Sequence, residues 1–180
     1  MPDETDAIYD QWLVLRTQDG DREALARLVS RWQDRLVRHA YKLLGHEDDA
    51  RDVVQDVWIG VARTIRRLED PASFRAWVYR IVTNKSADRI RKLQRDRRAT
   101  EIRAETERHA RADATDTVAM VRDAIEQMPL EQQVLMRLHY LDGLGVRELG
   151  VVFDIPPGTV KSRLFHARKR LARIIERNQQ

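Results

Sequence analysis

The sequence predicts an all-α protein of two small helical domains joined by a flexible linker, and three observations carry that expectation. Helix breakers are scarce, with 7 glycines and 5 prolines in 180 residues, while arginine, leucine and alanine, all good helix formers, are abundant. Apolar residues recur at three- and four-residue spacing through most of the chain, the period of an amphipathic helix. That period fails from Gln94 to Thr117, where the residues are mostly Arg, Glu, Ala and Thr and Ile102 is the one large apolar side chain. Such a stretch buries too little surface to offset the entropy of ordering it. The expected division is therefore 1–94, a charged linker over 95–117, and 118–180.

Punctuation residues set the elements. Gly20-Asp21 closes a first segment, and Asp21 is placed to cap a helix running to about Leu44. Within it Leu25, Leu28, Val29, Trp32, Leu36 and Val37 form one apolar stripe. Gly45 suits a helix C-terminus, and Asp48-Asp49 a helix start. The next helix turns Val53, Val54, Val57, Trp58 and Val61 inward and leaves Asp52, Gln55 and Asp56 outside. Leu68–Ser73 breaks the pattern at Pro71, and a further helix covers about Phe74–Lys92. Periodicity resumes at Val118 and stops at Met128-Pro129. Three helices follow, Glu131–Tyr140, Val146–Phe153 and Thr159–Arg177, jointed at Asp142-Gly143 and at Asp154–Gly158.

Composition narrows the function. The chain has no cysteine, hence no disulfide, thiolate metal site or thiol nucleophile. Its first residues are acidic and polar rather than basic then apolar, and its apolar runs are far too short to span a bilayer, so a cytoplasmic, nucleoid-associated protein without membrane insertion is expected. His39, His46, His109, His139 and His166 are scattered, with no paired ligand spacing and no phosphate-cradling glycine loop. No metal, cofactor or catalytic residue is expected, and the chain is not read as an enzyme. The net charge of +4 conceals alternating blocks: 1–74 and 99–127 are acidic, 75–98 and 128–180 basic. A polyanion gripped at two places, with the acidic parts facing another partner, fits this layout; solvated helix faces are the plainer reading.

The last two helices have the form of a helix-turn-helix, with Thr159 expected to cap the second. On that helix Val160, Leu164, Ala167 and Leu171 share one stripe. Opposite lie Ser162, Phe165, His166 and Lys169, flanked by Lys161, Arg163, Arg168 and Arg170. A phenylalanine displayed among cations suits thymine methyl groups in a major groove, with the cations on phosphates and Lys161 or Arg163 reaching guanine. The competing placement packs Phe165 against the domain's first helix.

These residues support a family resemblance. Ala124–Pro129, Tyr140–Leu144, Gly158–Leu164 and Ala167–Leu171 resemble region 4 of the sigma factors of RNA polymerase. Gly20–Leu25, Asp49–Trp58 and Phe74–Ile81 with Asn84 resemble region 2. Both regions in this order, without regions 1 and 3, are similar to the extracytoplasmic-function subfamily. The resemblance implies promoter-specific transcription initiation with core RNA polymerase, through its β′ and β subunits, and an anti-sigma partner. It implies that Asp52, Gln55 and Asp56 contact polymerase. It assigns the −10 element to Trp77, Tyr79, Arg80, Asn84, Lys85 and Arg91, with Leu68–Ser73 setting which base is accepted. It assigns the −35 element to Thr159, Lys161, Ser162, Arg163, Phe165, His166, Arg168 and Lys169. Trp77 is also spaced to pack with Phe74, Val78 and Ile81. Gly150 stands where alanine is common, which is expected to cost its helix up to ~1 kcal/mol; Asp154 takes a turn position where glycine is frequent. The alternative is a helix-turn-helix regulator acting without polymerase, but nothing here resembles the α/β receiver such proteins carry.

Overall fold

The computed structural model describes residues 4–99 and 117–178. Among them eight α-helices occur: α1 (Glu4–Gln18), α2 (Arg22–Leu44), α3 (Glu47–Thr64), α4 (Phe74–Ala99), α5 (Thr117–Glu126), α6 (Leu130–Tyr140), α7 (Val146–Phe153) and α8 (Pro157–Asn178). Two 3₁₀ turns, Ile65–Arg67 and Pro71–Ser73, connect α3 to α4. Asp21 caps α2, its carboxylate accepting from the amides of Glu23 and Ala24 at 2.9 and 3.1 Å. Gly45 ends α2 with φ at 79° and its N–H on the Tyr41 carbonyl, a conformation that suits a residue without a Cβ. Helix α4 runs past the expected end at Lys92 to Ala99, because Arg, Gln, Asp and Ala contain no breaker. The rest of the expected linker, 100–116, lies outside the described residues.

Helices α1 to α4 share one core built from the stripes expected of α2 and α3. Leu28, Trp32 and Leu36 of α2 meet Val54, Val57 and Val61 of α3 and Phe74, Val78, Tyr79 and Val82 of α4, all buried. Trp32 is the centre. Its ring stands edge-on to Phe74 and Tyr79, with centroids 5.7 and 6.2 Å away, geometry that aromatic quadrupoles favour. Its indole N–H donates to Asp10 of α1 at 3.2 Å, so one side chain ties three helices. Trp58 does likewise for α3, donating to Gln33 at 2.7 Å. Truncating a tryptophan this buried costs on the order of 3–5 kcal/mol.

Helices α5 to α8 enclose a second set of apolar side chains, among them Leu138, Leu144, Leu149, Val160, Leu164 and Ala167. The two regions also touch, beyond what a tether alone implies. Helix α7 packs along α4, where Ala76 is small enough to be buried at 2% exposure.

His39 of α2 is buried, its ring edge-on to Tyr79 and its Nε2 3.0 Å from the Thr83 hydroxyl. Burial, with a smaller contribution from the Arg137 charge, pulls its pKa down to about 4. An unfolded chain takes up that proton near pH 6.5, so stability present above pH 6.5 is lost progressively as pH falls toward 4, by roughly 3 kcal/mol at most. Urea denaturation of His39→Gln at a series of pH values should show a flatter slope between pH 6.5 and 4 than the parent chain. Equal slopes would mean that His39 is protonated when folded.

Candidate nucleic-acid interface

The helix-turn-helix is built around a left-handed residue. Asp154, at φ 55° and ψ 46°, ends α7, and the Ile155 N–H turns back to the Gly150 carbonyl at 3.1 Å. Asp is among the few residues that occupy this conformation readily. A Cβ at Gly150 would lie 3.0 Å from the Ile155 carbonyl oxygen and 3.8 Å from the Pro157 ring. The glycine thus makes room for the stiff Pro156-Pro157 turn, which offsets its low helix propensity. Helix α8 begins at Pro157, where a fixed φ suits a first helical position. Thr159 therefore lies within the first turn, half-buried, and is not the cap expected of it.

The faces of α8 follow the sequence pattern. Val160, Leu164, Ala167 and Ile174 are buried, Leu171 partly so. Lys161, Ser162, His166, Arg168, Lys169 and Arg170 are exposed. Phe165 projects among them at 48% exposure, with the Lys169 ammonium 4.7 Å from its ring centre and His166 edge-on at 5.5 Å. Packing of Phe165 into the core is thereby excluded in this arrangement. Arg163 is half-buried and ion-paired with Glu131 of α6, which holds it away from the freedom its neighbours have.

The second basic block places its residues differently. Trp77, Ile81, Asn84 and Arg91 follow at intervals that keep them on one face of α4. Trp77 is half-buried, tilted against Phe74, and walls a cleft of about 580 Å³. The opposite wall is the segment 67–70 with Ser73, and Thr64 and Ile81 complete it. Asp70 shapes that segment, accepting from the Ala72 amide and the Ser73 hydroxyl, both at 2.9 Å. Asn84 is exposed. Arg80 is 3.4 Å from Asp154, Lys85 3.8 Å from Asp56 and Arg91 3.4 Å from Asp88. Three of the expected cations therefore stand beside carboxylates of this chain.

Tyr79 requires a correction. Expected as a base platform, it is 1% exposed, and its hydroxyl donates to Asp142 of the second region at 2.8 Å. Burial, reinforced by the Asp142 charge, pushes its hydroxyl well above the usual tyrosine range. Burial likewise raises Asp142, against the opposing hydrogen bond from Tyr79 and the charges of Arg38, Arg35 and Arg75. The period of α4 points Tyr79 at Trp32, a direction the sequence contained but that lost to the basic context.

Arg75, absent from the expected site, fastens the regions. Its guanidinium reaches both carboxylate oxygens of Glu148 at 2.8 and 2.5 Å and the Gly143 carbonyl at 3.1 Å. Glu148 at the same time accepts from the Gly145 amide at 2.8 Å, capping α7. On α3, Asp52, Gln55 and Asp56 are exposed, as their spacing implied. Ile59, 46% exposed on the same face, adds an apolar member that the acidic pattern concealed.

The described residues thus join a helix-turn-helix with an exposed basic helix to a helical region that holds an aromatic-walled cleft. Residues 28–96 match the family model Sigma-70 region 2, and residues 119–171 match Sigma-70, region 4. Over 183 aligned residues the chain is 30% identical to the ECF RNA polymerase sigma-E factor of Haemophilus influenzae, covering 94% of this chain and 96% of that one. It is 28% identical to the ECF RNA polymerase sigma factor SigW of Bacillus subtilis, covering 88% and 92%. Similar folds occur in CnrH in complex with the cytosolic domain of CnrY, at 24% identity and a TM-score of 0.67, covering 93% of this chain and 97% of that one. The sigma factor RpoE in complex with the anti-sigma factor NepR from Bartonella quintana aligns at 21% identity and 0.68, covering 84% and 96%. The chain belongs to the extracytoplasmic-function sigma factors of RNA polymerase. It directs transcription initiation with the core enzyme at promoter DNA.

Because Glu148 serves both α7 and Arg75, its loss should cost more than the loss of its partner. Arg75→Ala should destabilise by about 1–2 kcal/mol, the discounted worth of a part-exposed pair. Glu148→Ala should cost about 1 kcal/mol more, the usual value of a cap. Denaturant midpoints of the two variants give the comparison; equal costs would remove the capping role.

Proposed function

We propose that the exposed face of α8 reads the −35 element and that the cleft beside α4 receives an unstacked base of the −10 element. The observation that carries the first part is Phe165, displayed among cations while Val160, Leu164 and Ala167 of the same helix are buried. In this reading Lys161, Ser162, His166, Arg168 and Lys169 hold phosphates and base edges, Phe165 meets thymine methyls, and Thr159 and Arg163 position the helix. In the second part Trp77 supplies the flat wall that an extruded base needs. Asn84, Lys85, Arg80 and Arg91 track the strand, the three cations exchanging their carboxylate partners for phosphates. Tyr79 is left out, as a core residue.

Asp52, Gln55 and Asp56, with Ile59 among them, form the contact with the β′ subunit, and the second region meets β. The functional division is 1–94, a linker at 95–117, and 118–180. Promoter elements about two DNA turns apart, at ~34 Å per turn, separate the readers. A separation of that size is incompatible with the direct packing of α7 on α4, so α7 leaves α4 when both elements are engaged. The protein works in the cytoplasm at the nucleoid, and an anti-sigma factor holds it, as NepR holds RpoE. Bond-making stays with the polymerase.

Selection of promoter DNA by holoenzyme reconstituted from this chain and core polymerase tests the reading. It should return two elements at fixed spacing; no transcription from any selected promoter would overturn it. Phe165→Ala or Lys161→Ala should weaken upstream-element binding by about 1–3 kcal/mol while core affinity in a pull-down stays unchanged. Asp56→Lys should do the reverse, reducing co-purification with core at least tenfold (~1.4 kcal/mol) while fluorescence anisotropy still reports upstream DNA binding.

A further inference from the structure

The wall of the cleft opposite Trp77 belongs to a connecting segment, yet it is held by a residue far away in sequence. Gln18 ends α1, and its amide nitrogen donates to two backbone carbonyls of that segment, Ile65 at 2.9 Å and Leu68 at 2.8 Å. The segment answers: Arg66 Nε donates to the Gln18 carbonyl at 3.1 Å. Gly20, at φ 95°, turns the chain at this point, and a Cβ there would lie 3.5 Å from the Arg66 guanidinium. Ion pairing of Arg16 with Asp21 at 3.0 Å, and the cap that Asp21 makes on α2, fix the end of α1 from the other side. Downstream, Asp70 holds Ala72 and Ser73. The wall is therefore pinned at both ends. Between the pins Glu69 is exposed and lines the cleft, and its carboxylate is of the type that accepts from the exocyclic amino group of cytosine or adenine.

We infer that Gln18 is a positioning residue for base selection: its paired hydrogen bonds to Ile65 and Leu68 set the height of the wall that carries Glu69 against Trp77. This rests on the cleft being the base receptor. A wall free to move by an ångström would still bind a base, since Trp77 offers stacking to any of the four, but would no longer align the carboxylate. Loss of Gln18 therefore lowers discrimination more than it lowers activity on the best promoter. Its side chain touches no DNA in this scheme.

The test uses holoenzyme made with the full chain and promoters differing at one base of the downstream element, scored by abortive initiation. Gln18→Glu keeps the shape but replaces the donor by an oxygen that repels both carbonyls; Gln18→Ala removes the group. Both should narrow the rate ratio between preferred and disfavoured bases about fivefold, the scale of one net hydrogen bond. The rate on the preferred promoter should fall less than twofold, and affinity for core and for the upstream element should stay at the parent value. Unchanged ratios in both variants, while Glu69→Ala changes them, would overturn the role of Gln18 alone. If Glu69→Ala and Trp77→Ala also leave the ratios unchanged, the cleft is not the receptor and both readings fall. A parallel loss of core and upstream affinity, in both Gln18 variants, would show a purely structural role and overturn the inference as well.

Discussion

The edge-on seat of Phe74 and Tyr79 against Trp32 is the contact on which the rest of the molecule depends. It fixes the roll of α4 about its own axis, and every other assignment on that helix follows. With Phe74, Val78 and Val82 turned inward, Trp77, Ile81 and Asn84 must face the connecting segment and solvent. Arg75 and Ala76 must face α7. A rotation by one residue, about 100°, would bury Trp77 and remove the cleft. The aromatic seat thus converts core packing into the placement of the cleft.

Electrostatics then divides the cations of the chain into two groups. Arg80, Lys85 and Arg91 of α4 stand beside Asp154, Asp56 and Asp88 at 3.4–3.8 Å, whereas Arg75 and Arg89 of the same helix are held at 2.5 Å by Glu148 and Asp49. Those on the outer face of α8 are exposed, and the one with a defined ion pair, Arg163, sits at the margin of that face. Exposed pairs at 3.4–3.8 Å are worth little individually, so a competing anion would displace them at little cost. Two basic blocks that look alike in composition therefore differ in readiness.

Much of this was legible in the order of residues, for identifiable reasons. Asp21, Gly45 and Asp154 act where short-range chemistry places them, whereas Thr159 is no cap because Pro157 starts α8 two residues earlier. The α8 faces were legible because one period governs an exposed helix end to end. Tyr79 was misread because its neighbours Arg80 and Lys85 suggested a wet face, whereas burial is decided by Trp32, 47 positions earlier. Arg75 and Glu148 were not legible at all. Their pairing spans 73 residues, and nothing local distinguishes an arginine that joins two regions from one that meets solvent. Gln18 was hidden for the same reason. The extent of α4 beyond Lys92 was missed because a lack of apolar residues looks the same in a charged helix and in a loop.

Glu148 carries a consequence for how the two halves part. One of its oxygens caps α7 through Gly145 and also meets Arg75, so withdrawing Arg75 leaves the cap in place. Water can reach the vacated positions on Glu148, whose side chain is 30% exposed, although Arg75 at 20% is mostly covered. Beside the ion pair the seam also holds the Tyr79–Asp142 hydrogen bond and the Arg80–Asp154 pair, while the Tyr79 ring keeps its neighbours in the first region. The join is thus a crease stitched with polar contacts, for each of which water offers an alternative partner.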